Sequence, residues 1–370
     1  MKFIVSREQL LVPLQQIVSV IEKRQTMPIL ANVLIKAIDN KLILTGTDLE
    51  IQLIVQVQVD IAEEGEITVP ARKFLDICRL LPNDSSIDFV LQDDKVKIKS
   101  GRSRFSLSSL VASDYPEFVE TEMEGEFQVD AVLLKKALDK TVFCMASQDV
   151  RYYLNGLMMN LSNSRLKLVA SDGHRLAIYE NDIGQDTGYE SRILVPKKGV
   201  QELSRLLDKS DEQVNIKFSK NTIRFQTKKM TLSAKLVDAN YPDFNKVFQQ
   251  EFFSAISIPR QSLKAALTRV AILANEKFKG VSLEITAGQL KISAHNPEHE
   301  EAEEELSLDY QGDSVTIAFN AQYILDAIAN LDSDNAQLII ARNASSCFIE
   351  EPQSPEQSLE YRFIVMPMRL

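Results

Sequence analysis

The sequence is poor in features that mark several common protein classes. Glycine accounts for only 12 of its 370 residues, below the usual ~7%, which disfavours a protein built on phosphate-cradling glycine loops. No segment approaches the ~18–20 uninterrupted apolar residues of a membrane-spanning helix. Residues 1–8 lack the basic, apolar and small-residue order of a secretory signal peptide. We therefore expect a globular cytoplasmic protein with no membrane partner.

The three cysteines are too few and too widely spaced for a disulfide framework. Cys78, Cys144 and Cys347 form no CxxC pair, and their number is odd. This pattern is typical of buried thiols in a reducing compartment.

Catalytic and cofactor motifs are also missing. The chain contains no GxGxxG, GxxxxGK[ST], HExxH or GxSxG segment. His295 and His299 have an HxxxH spacing, but Pro297 lies between them and no cysteine is near. Because a stable zinc site needs three or four ligands, we expect neither a metal nor a cofactor.

One segment, residues 171–175, contains Ser, Asp and His together. A catalytic relay needs a nucleophile, a base and an orienting group in line, which neighbours in a turn seldom achieve. We interpret the segment as a turn between strands whose polar groups satisfy one another. The alternative is a hydrolase that uses Asp172 and His174 in an inter-domain cleft.

The charge is acidic overall but unevenly distributed. The net charge of −10 argues by itself against a nucleic-acid partner. Six glutamates lie within residues 298–305, and without them 46 acidic residues face 42 basic ones. Five of the six predicted helices carry basic residues, which indicates either ordinary solubilisation or a shared polyanion.

Four landmarks recur three times, with a period of about 125 residues. The first is a short strand that leads into an amphipathic helix, with Ser6 and Asp130 as suitable N-caps. The second is a polar turn at Asp48, Asp172 and Asn296, which are each 124 residues apart. The third is another passage from strand to helix, at residues 69–81, 195–207 and 319–331. The fourth is a segment that closes each repeat, at residues 114–118, 240–244 and 366–368.

Between the landmarks, apolar and polar residues alternate with a period of two, as in residues 95–99 and 214–218, which predicts strands with one solvated face. Each repeat therefore reads strand–helix–strands, twice, and the fold class is α+β with antiparallel sheets. The predicted domains are residues 1–124, 125–250 and 251–370. Pro13 is expected to kink the first helix or delay its regular part, and residues 351–358 are interpreted as an exposed loop.

Several segments together closely resemble the bacterial replicative sliding clamp, the beta subunit of DNA polymerase III. The resemblance covers the whole chain. The segments that carry it are residues 1–3, 45–50, 69–74, 100–107, 148–156, 172–176 and 365–370.

The resemblance implies three similar domains of the DNA-clamp fold and a head-to-tail ring of two chains, with helices inside and sheets outside. Two helices per repeat, three repeats and two chains give twelve helices. At ~8–10 Å between axes, twelve helices form a circle ~30–38 Å across, and one helix width of ~10 Å leaves ~20–28 Å. A duplex roughly 20 Å wide just fits, and contacts with its phosphates specify no sequence.

The implied function is that of a non-catalytic processivity factor, which encircles duplex DNA and tethers the replicative polymerase and other replication or repair proteins. The implied partners are a second copy of the chain, the clamp loader complex, the DNA polymerase III alpha subunit and other proteins with a clamp-binding motif. By resemblance, the residues that face DNA are Arg24, Arg72, Arg79, Gln148, Tyr152, Lys197, Lys198 and Arg205.

The resemblance also implies a dimer interface and a pocket for partner peptides that contain Gln and Leu or Phe. The interface has an apolar centre flanked by opposite charges, as suits a heterologous contact. Its residues are Lys73, Arg102, Arg104, Phe105, Leu107, Ile272, Leu273, Glu298, Glu300, Glu301, Glu303 and Glu304. The pocket residues are Arg151, Tyr153, Leu154, Ser171, Gly173, His174, Arg175, Leu176, Pro242, Val247, Asn320, Tyr323, Ser346, Ile364, Met366, Pro367, Met368 and Arg369.

Overall fold

The structure is a computed structural model that describes residues 1–22, 27–118, 122–207, 213–352 and 361–369. The first third of the chain contains β1 (Lys2–Ser6), α1 (Arg7–Val20), β2 (Asn32–Ile38), β3 (Lys41–Thr47), β4 (Ile51–Gln58), β5 (Asp60–Glu63), β6 (Gly65–Pro70), α2 (Ala71–Leu80), β7 (Ser86–Gln92), β8 (Lys95–Ser100) and β9 (Ser103–Ser108). The second third contains β10 (Gly125–Asp130), α3 (Ala131–Asp139), β11 (Gly156–Ser162), β12 (Arg165–Ser171), β13 (Arg175–Asp182), β14 (Glu190–Pro196), α4 (Lys197–Leu206), β15 (Gln213–Phe218), β16 (Thr222–Gln226) and β17 (Met230–Lys235). The last third contains β18 (Ile256–Pro259), α5 (Arg260–Val270), β19 (Gly280–Thr286), β20 (Gln289–His295), β21 (Glu301–Ser307), β22 (Val315–Asn320), α6 (Ala321–Ala329), β23 (Asn335–Ile340), β24 (Cys347–Glu350) and β25 (Tyr361–Val365).

This order repeats the predicted strand–helix–strands pattern twice in each third. Short 3-10 turns lie between the longer elements, at Pro28–Ala31, Ala112–Asp114, Val142–Cys144, Tyr152–Asn155, Asn245–Phe248 and Ala271–Leu273.

The first helix begins at a capping box. The Gln9 amide donates to Ser6 Oγ at 3.2 Å, and the Ser6 amide donates to Gln9 Oε1 at 3.2 Å. The helix runs unbroken from Arg7 to Val20 with Pro13 inside it, so Pro13 does not delay it. An internal proline costs ~3 kcal/mol, but this helix fully buries Leu10, Leu14 and Ile17, at about 1.5–3 kcal/mol each.

The chain forms two compact units. Unit 1 comprises residues 1–135 and 198–237, with one sheet in the order β5-β1-β7-β8-β9 and a second in the order β10-β15-β16-β17-β4-β3-β2-β6. Unit 2 comprises residues 136–197 and 238–370, with sheets in the orders β14-β11-β12-β13-β25-β24-β23-β18 and β21-β20-β19-β22. Each eight-stranded sheet joins strands of two repeats, so the boundaries of the two units differ from the domain boundaries that we expect at residues 124 and 250. Those domain boundaries stay a prediction.

Equivalent strands of the three repeats pair in the same register. The facing residues are Phe3–Phe89–Ile98–Phe105 in the first repeat, Phe127–Ile216–Phe225–Leu232 in the second and Ile256–Leu338–Ile349–Phe363 in the third. In unit 1 the sheet continues from Leu232 to Leu53 of β4, and in unit 2 it continues from Phe363 to Ala177 of β13. Phe105 has no such continuation among the described residues, because β9 is an edge strand.

The counterpart of β4 and β13 in the third repeat is β21. Gly46 lies opposite Leu53, Ala170 opposite Ala177, and Ala294 opposite Ala302. Ala302 therefore occupies the position of Leu53 and Ala177, and β21, like β9, is an edge strand of its sheet.

Aromatic side chains anchor the core of the first repeat. Phe3 and Phe89 stack with ring centroids 4.5 Å apart, and Phe74 of α2 tilts onto Phe89 at 5.8 Å. Gly46 lets α1 approach β3, because a Cβ there would lie 2.9 Å from Ile17 Cγ2. Cys78, Cys144 and Cys347 are free and buried, as expected. None of the helices described is long and apolar enough to span a membrane.

Candidate functional site

The turn between β12 and β13 holds itself together through its own polar groups. Ser171 Oγ donates to the Arg175 carbonyl at 2.7 Å and accepts from the Gly173 amide at 3.0 Å. Asp172 Oδ1 accepts from the amides of His174 and Arg175 at 3.0 and 3.1 Å. The serine donates to a carbonyl oxygen and the aspartate accepts from backbone amides, so these residues form a structural turn and not a catalytic relay, as the turn interpretation predicts.

Arg175 is fixed by three partners within unit 2. Its Nε lies 2.9 Å from Asp172 Oδ2, its Nη1 lies 2.5 Å from Asp326 Oδ2, and its Nη2 donates to the Phe143 carbonyl at 2.8 Å. The guanidinium lies 4.5 Å from the centre of the Tyr323 ring. Two carboxylates thus share its single positive charge, and Arg175 links the turn to α6.

Arg151 forms a second fixed pair at the rim. Its Nε and Nη2 contact the Asp149 carboxylate at 3.0 and 2.9 Å, and these side-chain hydrogen bonds lower the pKa of Asp149 to about 2. Gly173 has a φ of +88°, and a Cβ there would lie 2.7 Å from Arg151 Nη2. Glycine is therefore required both for the backbone conformation and for the closeness of the guanidinium.

The floor beside this turn is apolar. Leu176 of β13 lies opposite Ile364 of β25, and both are buried, as is Leu154. The chain end continues past β25: the Met366 amide donates to the His174 carbonyl at 2.8 Å. Because the side chain of Met366 is 40% exposed, a flexible apolar group borders a buried apolar floor, which suits varied apolar ligands.

All the predicted pocket residues lie in unit 2. Tyr153 meets Tyr241 edge-on at 6.4 Å, and the Asn320 side chain caps α6 by accepting from the Gln322 amide. Ser346 is fully buried, and its Oγ has no hydrogen-bond partner among the described residues. Of the remainder, Val247, Pro367 and Met368 are half-buried, and Pro242, His174 and Arg369 are exposed.

Five of the predicted DNA-binding cations have partners inside the chain, and three of the five are held closely. Lys197 Nζ donates to the carbonyls of Met145 and Ala146 at 3.2 and 2.9 Å, and burial lowers its pKa. Lys198 Nζ pairs with the carboxylates of Asp48 and Glu22. These two lysines therefore join α4 to neighbouring elements.

The third of these cations is Arg205, which bonds Glu202 and Ser19. Two others have weaker partners: Arg72 Nη2 donates to the Ile21 carbonyl at 3.2 Å, and Arg79 lies 3.5 Å from Asp76. Gln148 is exposed with a left-handed φ of 57°, and Tyr152 is 75% exposed. Arg24 lies outside the described residues, as do residues 353–358 of the predicted loop.

The predicted interface residues lie on the edge strands β9 and β21 and the turns before them, on α2, and in the 3-10 turn after α5. Phe105 is half-buried and Leu107 is buried in β9, while Ile272 is 75% exposed just after α5. Lys291 Nζ contacts Glu303 at 2.8 Å, and Arg269 Nε contacts Glu304 at 2.9 Å. Of the other predicted interface residues, Leu273 is half-buried, and the exposed ones are Lys73, Arg102, Arg104, Glu298, Glu300 and Glu301.

Sequence reasoning missed the carboxylates that hold these cations. Asp326 and Glu22 lie 151 and 176 residues from the cations that they pair with, whereas Asp149 lies only two residues from its partner Arg151. For the distant pairs the available signal was the repeat, because Asp48 and Asp172 occupy equivalent turns and each binds a cation. No group of His, Cys, Asp and Glu side chains within the described ranges could hold a metal ion.

Comparison with known proteins agrees with this architecture. Models of the DNA polymerase III beta subunit match residues 1–119 (N-terminal domain), 128–243 (central domain) and 245–369 (C-terminal domain). Beta sliding clamps of Pseudomonas putida and Escherichia coli are 43% and 44% identical over 371 residues, covering 100% of each chain. A solved sliding clamp of Pseudomonas aeruginosa bound to griselimycin superposes with a TM-score of 0.96 at 42% identity, and the Caulobacter crescentus pol III beta structure with 0.92 at 31%, each over 100% of both chains. The chain belongs to the beta sliding clamp family, the beta subunits of DNA polymerase III.

Proposed function

We propose that two copies of this chain close head to tail into a ring around duplex DNA, and that partner proteins are tethered through the pocket of unit 2. The clamp family acts as a processivity factor without catalytic activity, and membership implies DNA, a polymerase and self-association. The observation that carries the proposal is that β9 and β21 each have one edge without a partner strand among the described residues, although they are equivalent to strands that pair on both edges within the chain.

The register of the two internal junctions predicts the register of the missing one. Leu232 lies opposite Leu53, and Phe363 lies opposite Ala177. Since Phe105 corresponds to Leu232 and Phe363, and Ala302 corresponds to Leu53 and Ala177, Phe105 of one chain is expected opposite Ala302 of the other. A heterologous contact of this kind closes into a ring when its rotation permits.

The side chains at this register are complementary. Arg104 precedes Phe105 in β9 and is therefore expected opposite Glu303 of the other chain, on the solvent side of the joined sheet. Opposite charges on facing residues stabilise strand pairs. On the opposite face of the sheet, an internal junction shows what packs at this position. Phe143, in the 3-10 turn after α3, stacks on Phe363 with ring centroids 5.6 Å apart. Ile272, in the 3-10 turn after α5, is the counterpart of Phe143 and is expected to pack on the Phe105 of the next chain.

We expect the helices to bind DNA only weakly. Lys197, Lys198 and Arg205 already have partners within the chain, so each would have to share or release a partner to reach a phosphate. Gln148 and Tyr152 are exposed, and so is Arg72, which makes one hydrogen bond to the Ile21 carbonyl. Weak phosphate contacts suit a ring that holds DNA by enclosing it and slides along it without reading sequence.

The pocket of unit 2 suits a short peptide. Its apolar floor at Leu154, Leu176 and Ile364 takes Leu or Phe side chains, and the polar rim of Arg151 and His174 lies beside it. The proposed occupants are motifs of the DNA polymerase III alpha subunit, the clamp loader complex and other clamp-binding proteins. The three buried free thiols agree with a cytoplasmic location.

A cross-linking experiment tests the ring closure. Ser106 is expected opposite Glu301 across the two chains, so the double variant Ser106→Cys, Glu301→Cys should form covalent dimers on mild oxidation, since facing Cβ atoms lie ~4.5–5.5 Å apart. The control, Ser108→Cys with Glu301→Cys, is displaced by two residues and should cross-link far less. Monomers alone after oxidation, or equal cross-linking by both variants, would contradict the proposed register.

A further inference from the structure

A second cavity lies on the same sheet face as the peptide pocket of unit 2. Leu176 and Ile364 face each other across β13 and β25, and the next pair on that face is Ile178 and Arg362. A cavity of about 170 Å³ lies over this second pair. Its remaining walls are Phe244, Asn245, Phe248, Lys167 and Glu180.

The cavity is apolar where it is deepest. Ile178 is 8% exposed at its floor, and the rings of Phe244 and Phe248 are half-buried. The guanidinium carbon of Arg362 lies over Phe248, 4.8 Å from the ring centre. An apolar cavity of ~150 Å³ binds benzene, so this one has room for a single aromatic or large aliphatic side chain.

The charges at the rim favour an acidic neighbour for that side chain. Arg362 is paired with the buried carboxylate of Glu350, while Glu180 is contacted by Lys167 at 2.7 Å and by Arg165 at 3.2 Å. Among the residues that line the cavity itself, two cations, Lys167 and Arg362, stand against one carboxylate, Glu180. The surplus positive charge, at the solvent-exposed edge, favours a carboxylate on the ligand.

The cavity lies next to the pocket already proposed. Leu176 and Ile178 are two residues apart on one strand, a distance of ~6.6 Å, and Val247 of the pocket is followed directly by Phe248 of the cavity. An extended peptide, which rises ~3.3 Å per residue, can place side chains two residues apart in both. We propose that this cavity is an additional subsite that takes an apolar or aromatic residue, flanked by an acidic one, just outside the Gln- and Leu/Phe-containing motif of partner peptides. This inference rests on the proposed peptide-binding function.

Binding of three synthetic peptides to the full chain tests the subsite. The core peptide is Gln-Leu-Ala-Leu-Phe, and the other two carry an added Phe and Asp two residues beyond its amino or its carboxyl end. One of the extended peptides should bind about fivefold to tenfold tighter than the core, since a buried ring is partly offset by the loss of its freedom. Fluorescence anisotropy gives the three dissociation constants.

Two variants assign the gain to the cavity. Asn245→Trp fills the cavity from its exposed rim and should remove the gain while leaving the core peptide's affinity unchanged. Gln249→Trp adds the same bulk at an exposed position that does not line the cavity, and should preserve the gain. Lys167→Glu should reduce the preference for the acidic residue.

The outcomes separate the two proposals. If the core peptide does not bind the unaltered protein, the peptide pocket itself is wrong. If the core binds and neither extension binds tighter, or if the gain survives in Asn245→Trp, the subsite is wrong and the pocket stands.

Discussion

Replacing Ile272 by alanine should weaken the ring strongly, because a ring of two chains contains this side chain once in each of its two interfaces. Ile272 is 75% exposed in the single chain, so most of its surface is available to be buried against the Phe105 of the next chain. Ile272→Ala removes three carbon groups at ~0.8 kcal/mol each, or ~2.4 kcal/mol per interface. A ring of two chains has two interfaces, so complete dissociation loses ~5 kcal/mol, and the dissociation constant rises roughly 3,000-fold.

Mass photometry or sedimentation velocity, from nanomolar to micromolar chain concentration, measures this shift. Ile4→Ala is the matched control, since Ile4 is an isoleucine 51% exposed in β1, away from both proposed edges. The control should remain dimeric at concentrations at which Ile272→Ala is monomeric. Equal dissociation constants for both variants would refute the proposed packing of Ile272 on Phe105.

Three further outcomes are expected. Deleting residues 366–370 should abolish binding of the core peptide without opening the ring, which calorimetry and solution mass check together; an unchanged affinity would place the pocket elsewhere. Lys198→Met leaves the nearly buried carboxylate of Asp48 without its cation and should cost about 1–3 kcal/mol, seen as a lower urea midpoint that adding Asp48→Asn largely restores; unchanged stability would contradict a stabilising Lys198–Asp48 pair. Because hydrogen bonds from Arg151 lower the pKa of Asp149 from 3.8 to about 2, the stability contributed by this pair is present above pH 3.8 and is lost as the pH falls through about 2; an NMR titration of the Asp149 carboxyl with a midpoint near 4 would contradict it.

The repeat made the fold largely predictable from the sequence. Ser6 and Asp130 act as N-caps as predicted, since Asp130 Oδ1 accepts from the Val132 and Leu133 amides. Helix and strand order follow from spacings within a few residues, which the sequence displays directly. Pro13 shows the limit of such local rules, because the burial of one helix face outweighs the local cost of the proline.

The partners of the charged residues were not predictable in the same way. Lys198 and Asp48 are 150 residues apart, and Arg175 and Asp326 are 151 apart, so only the folded sheets bring them together. Charge counting therefore overestimated the number of cations free to meet DNA. The junction register was equally hidden, since it depends on which strands remain at sheet edges.

Retention on DNA of different topology tests the central claim most directly. A ring that encloses the duplex leaves only by opening or by sliding off an end, whereas phosphate contacts weaken steeply with salt. After loading by a clamp loader onto nicked circular DNA, the protein should stay bound at ~0.5 M salt, where exposed charges are largely screened, and a single restriction cut should release it quickly. Equal retention on the circle and on the cut, open-ended DNA would contradict encirclement.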